Sequence, residues 1–125
     1  MKTFVLISLF FAFSLTGFAQ VNQEVRIDRE ASYPGGDEAL VTYVWQNLTP
    51  TEQSKGHVIS GEIMVSIDVL SDGKPVNFVF LTKVGYGIDE QVQSLLEKQT
   101  FVYSIQNGQP VKMNLVLSIP IRLRH

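Results

Sequence analysis

From Gly61 the chain alternates apolar and polar residues with a period of two. Ile63, Val65, Ile67 and Val69 are separated by residues such as Ser66 and Asp68, which predicts a half-buried strand. Ser71-Asp72-Gly73-Lys74 supplies a hairpin turn, and Val76 to Leu81 reads as the return strand, with Val76, Phe78 and Phe80 on one face. Near the other end, Val111, Met113, Leu115, Leu117, Ile119, Ile121 and Leu123 alternate without a miss. That is the strongest periodic signal in the chain, and it predicts a long final strand with one face on the core. Two stretches change period. Leu40, Tyr43, Val44 and Leu48 form a helical stripe that Asp37 and Glu38 open and Pro50 stops. Ile88, Val92, Leu95 and Leu96 form a second stripe, with Asp89 and Glu90 in its first turn. Phe101 to Ile105 is a short β-prone run before an Asn107-Gly108 turn. Two helices, an antiparallel hairpin and a last strand make the expected fold class α+β, a sandwich of two layers.

The first residues follow a different pattern. Lys2 precedes a twelve-residue apolar run from Phe4 to Leu15, and Gly17-Phe18-Ala19 places small residues at −3 and −1 before Gln20. This is the three-part pattern of a cleavable secretory signal peptide over 1–19. Export to the periplasm is therefore expected. The alternative is an uncleaved anchor in the inner membrane, for which the seventeen residues from Thr3 to Ala19 are at the short limit. Residues 20–32 are polar, of mixed charge and without helical caps, and read as a flexible lead with room for one short strand. Tyr33-Pro34-Gly35-Gly36 is a rigid turn that opens the domain at 33–125.

Composition narrows function mainly by exclusion. The chain has 125 residues, enough for one small core, and a formal net charge of −2 with dispersed charges. A nucleic-acid partner is not expected, because phosphate binding needs a basic surface excess. The absence of cysteine removes disulfides, thiolate metal sites, a cysteine nucleophile and a lipidated anchor. His57 and His125 stand alone, without the spacing that gives a metal three or four ligands. No Gly-x-Ser-x-Gly elbow, P-loop or dinucleotide loop occurs. Asp37-Glu38 and Asp89-Glu90 are adjacent on helices, so their side chains diverge, and helix starts favour acids. No enzymatic activity and no cofactor are expected.

Taken in order, several segments resemble the TonB C-terminal domain family. They are Tyr33-Pro-Gly-Gly-Asp-Glu-Ala-Leu40 with Tyr43 and Asn47-Leu48, Gly61 to Val69 followed by Asp72-Gly73-Lys74-Pro75-Val76, Ile88-Asp89-Glu90, and Asn107-Gly108-Gln109-Pro110-Val111 leading to Ile119-Pro120-Ile121. The resemblance spans Tyr33 to Leu123. It implies a three-stranded antiparallel sheet packed against two helices, and a last strand whose free edge pairs with a short extended segment of an envelope protein, such as a TonB-dependent outer-membrane transporter. Strand addition of this kind takes affinity from main-chain bonds. Transferred to this chain, the partner-binding residues are Val111, Lys112, Met113, Asn114, Leu115, Val116, Leu117 and Ser118. The resemblance also implies that such domains pair through edge strands, so the second expectation is a homodimer with a structural role in the envelope.

The chain departs from the family at Thr49-Pro50, where Tyr-Pro is usual, and at Phe101-Val102-Tyr103-Ser104, where a proline is usual. Gln20 to Tyr33 contains no proline and reaches at most about 50 Å when extended. That is too short to cross the periplasm, so energy transduction by this chain alone is not expected.

Pro120 adds an argument independent of the resemblance. Proline lacks the N–H that a central strand must donate, which argues for a sheet edge. Lys112 and Arg122 lie near the two ends, and Asn114 to Ser118 is uncharged.

Overall fold

The computed structural model describes residues 25–124, and the expected signal peptide, its cleavage site and His125 lie outside them. Among the described residues nine elements follow in order: strand β1 (Ile27–Arg29), helix α1 (Asp37–Asn47), a 3-10 turn (Glu52–Ser54), β2 (Val58–Val69), β3 (Pro75–Thr82), α2 (Ile88–Glu97), β4 (Ser104–Gln106), β5 (Gln109–Val111) and β6 (Met113–Arg124). The protein is α+β. Two helices accompany two antiparallel three-stranded sheets, ordered β3-β2-β6 and β1-β4-β5. No helix of the described residues is long and apolar enough to cross a membrane.

The larger sheet is built as alternation dictates. Ile63, Val65, Ile67 and Val69 of β2 and Leu117, Ile119 and Ile121 of β6 are buried. Leu40 and Val44 of α1 and Ile88, Val92 and Leu96 of α2 complete the core with them. The Tyr43 hydroxyl donates to the Leu95 carbonyl at 2.9 Å and ties the two helices together. Tyr33 packs edge-on to Phe101 at 5.4 Å between ring centres and stacks on Tyr43 at 6.2 Å. Its hydroxyl donates to Gln99 Oε1.

Two turns depend on glycine. Gly36 caps α1 at φ 86°, and Gly35 before it has φ 87° with Ala39 so near that a Cβ would lie 2.9 Å away. Gly73, in the β2–β3 hairpin, has φ 91°, and its carbonyl accepts from the Phe101 N–H at 2.8 Å. A Cβ there would overlap the Phe101 carbonyl oxygen. The hairpin tip is therefore docked on the chain beyond α2, and only glycine fits.

Asp89 does more than favour a helix start. It is buried, and its carboxylate accepts from the Val84 and Gly85 N–H groups at 3.0 and 2.7 Å, folding the β3–α2 loop back onto the helix.

Three sequence expectations need correction. Val76 does not share a face with Phe80: it pairs with Asp68, while Pro75 pairs with Val69 and Phe80 with Val65. A bulge is responsible, with Asn77 at φ 55°, because an extra residue resets the period of two. The final strand does not begin at Val111. That residue ends β5, opposite Ser104, and the strand is interrupted at Lys112 before β6 starts. The third concerns the second sheet, which the expected single sheet did not include. Within the segment read as a lead, β1 pairs with β4, and Asp28 accepts from the Gly108 N–H and from Arg26. Those two contacts, the first the larger, hold its carboxyl below the usual range.

Candidate protein-interaction edge

β6 lies at one edge of the larger sheet, and among the described residues β2 is its only strand neighbour. The two pair through twelve consecutive positions, from Val58 opposite Arg124 to Val69 opposite Met113, without a register shift. In an antiparallel pair the N–H and C=O of one residue point the same way, and successive residues alternate. The Trp45 indole Nε1 donates to the Pro120 carbonyl at 2.7 Å, which marks the Pro120 main chain as facing away from β2. The missing proline N–H therefore costs no ladder bond, as expected for a proline in an edge strand. By the same alternation Asn114, Val116, Ser118, Arg122 and Arg124 direct their N–H and C=O groups to the free side.

Side chains alternate across the sheet in step with this. Leu117, Ile119 and Ile121 are buried, Met113, Leu115 and Leu123 are half-buried, and Asn114, Val116, Ser118, Pro120, Arg122 and Arg124 are exposed. The residues with outward-facing main chain thus carry their side chains on the solvent face. Val116 and Val79 flank Ser66 across three strands, and both are exposed, as is Leu81 nearby.

At the turn end the face is polar. Asn114 Nδ2 donates to Ser66 Oγ, the Ile67 carbonyl and Asp68 Oδ1 at 2.8, 3.0 and 3.1 Å, and Asn77 Nδ2 donates to Asp68 Oδ2 at 2.9 Å. These bonds, from Asn77 first and then Asn114, hold the Asp68 carboxyl below its ordinary range, and Lys112 adds to the effect. Asp68 on β2 therefore joins β3 to the start of β6.

Of the residues singled out from the sequence, Met113 to Ser118 lie on β6. Among them only Asn114, Val116 and Ser118 offer main-chain groups to the free side. Met113, Leu115 and Leu117 turn theirs to β2 and their side chains to the core. Val111 belongs to the other sheet and Lys112 to the break between strands. Sequence reasoning passed over Trp45, since it falls off the stripe of α1 and its partner is 75 residues away. Among the described residues no three of His, Cys, Asp or Glu converge on a point that could hold a metal ion. His57 is exposed and lies against the Tyr86 ring, 4.8 Å between centres. Comparison with models of protein families, with curated proteins and with solved structures gives no match.

Proposed function

We propose that the protein is an exported interaction module of the cell envelope that captures an extended segment of a partner protein along β6. The regular pairing of β6 with β2 supports this most directly: twelve residues in unbroken register, with Asn114, Val116 and Ser118 as three successive outward-facing positions unblocked by charge. The resemblance to the TonB C-terminal domain supports an outer-membrane transporter as the kind of partner. The pattern of residues 1–19 supports a periplasmic location. Mass spectrometry of the exported protein is expected to find a new N-terminus at Gln20, and recovery of intact Met1 in a membrane fraction would return the anchored alternative.

The edge itself is tested by Val116→Pro. Position 116 has the orientation of Pro120, so the substitution removes an outward N–H and spares the β2 ladder. Capture of envelope proteins by the wild type and its loss in a folded Val116→Pro protein is the expected result. Equal capture by both would exclude this edge. A second reading, pairing of two β6 edges, is favoured by the exposed Val116 at the middle of the strand. It predicts a stable dimer on a sizing column, converted to monomer by the same substitution.

A further inference from the structure

We infer that Trp45 sets the limit and register of any strand added to β6, a reading that rests on strand addition at this edge. The outward-facing main-chain positions recur at every second residue: Asn114, Val116, Ser118, Pro120, Arg122 and Arg124. The fourth is closed twice. Pro120 has no N–H to donate, and its carbonyl oxygen already accepts from Trp45 Nε1 at 2.7 Å. That indole nitrogen stands where the N–H of a partner strand would stand. Paired strands lie ~4.8 Å apart, so the ring and an added strand cannot share the space. An added segment therefore pairs through Asn114 to Ser118 and stops short of Arg122 and Arg124, although their main-chain groups face the same way.

Trp45 is placed to hold this position. It stands on a helix anchored by buried Leu40 and Val44, and the Tyr43 hydroxyl fastens that helix to α2. The indole itself remains 49% exposed, so it can be removed without hollowing the core. A bare edge would let a partner slide by two residues at a time while keeping its faces matched, because the strand period is two. A closed position at Pro120 removes the registers that run past it. Trp45 is thus a specificity-determining residue for the segment bound.

The experiment uses peptides selected from a randomised twelve-residue display library on the purified wild-type protein. Amide hydrogen exchange then maps each peptide on the wild type and on Trp45→Ala. On the wild type, slowed exchange is expected at Asn114, Val116 and Ser118 and not at Arg122 or Arg124. On Trp45→Ala the same peptides are expected to extend protection to Arg122 and to bind about tenfold more tightly, the factor for one or two added main-chain bonds. Trp45→Phe keeps a ring and loses the donor, and a smaller change in the same direction is expected. Unchanged exchange at Ile63 and Ile119 without peptide establishes that each variant is folded. Protection of Arg122 in the wild type, or an unchanged footprint on Trp45→Ala, would overturn the limit and leave strand addition standing. Absence of protection at Asn114, Val116 and Ser118 in both proteins would overturn strand addition itself.

Discussion

β3 and β6 flank the same central strand, and among the described residues neither has a strand on its other side. They treat that exposure in different ways. β3 meets β2 with two register shifts, one between Met64 and Val65 and one between Ser66 and Asp68, and each places an extra residue on β3. Bulges of this kind twist an edge and spoil it as a template for another strand. β6 meets β2 without a shift over twelve residues. Its defences are local: Lys112 before it, Arg122 and Arg124 at its far end, and the Trp45–Pro120 contact between. An edge that is merely unpaired is not yet a pairing site. Regular spacing of main-chain groups makes one, and β6 keeps that spacing where β3 has lost it.

The difference can be broken most severely through the inward side of β6. Leu117→Ala removes a buried side chain and is expected to destabilise the protein by ~2–5 kcal/mol. Ser118→Ala, on the exposed face beside it, is expected to change stability by under ~0.5 kcal/mol in the same urea titration. Similar losses in the two would mean that the faces of β6 are assigned the wrong way round.

The bulge on β3 comes next. Asn77→Ala places a Cβ-bearing residue without a side-chain donor at φ 55° and takes one partner from Asp68. A loss of ~1–2 kcal/mol is expected, whereas Asn77→Gly tolerates the backbone and should lose less. A neutral Asn77→Ala would show that the bulge is not what separates the two edges. Val116→Pro, by contrast, is expected to lower stability by ~1 kcal/mol or less, because its N–H has no partner in the ladder. Leu117→Pro removes an N–H that β2 uses and is expected to prevent folding.

The smallest effect concerns the carboxylate that links the two outer strands. The Asp68 pKa is lowered in the folded protein, so its contribution is complete above the ordinary aspartate value of the unfolded chain and is lost as pH falls through the lower folded value. The stability difference between wild type and Asp68→Asn, followed by urea unfolding from pH 6 downward, is therefore expected to shrink below about pH 4. A difference independent of pH would assign the contribution of Asp68 to geometry instead of charge.

Much of this protein follows from its residue pattern. The alternation from Ile63 to Val69 and from Met113 to Leu123 determined two strands and their buried faces, because a period of two leaves one choice of inward set. The stripes at Leu40–Val44 and Ile88–Leu96 determined two helices in the same way, and Pro120 marked the outer position of β6 through its missing N–H. What alternation could not carry was any place where the period is interrupted. Asn77 moves Val76 off the face of Phe80, and the break at Lys112 hands Val111 to another sheet. Both interruptions depend on contacts with distant chain: Asp68 beneath Asn77, Ser104 opposite Val111. The Trp45–Pro120 contact belongs with them. Nothing local distinguishes an off-stripe tryptophan on α1, and only the packing of that helix beside β6 brings its indole to a carbonyl 75 residues away. The sequence by itself determined which strand has an edge to offer, since that is written in local periodicity. The tertiary structure alone decided how much of that edge is open, since a hydrogen bond between distant elements exists only once both are packed.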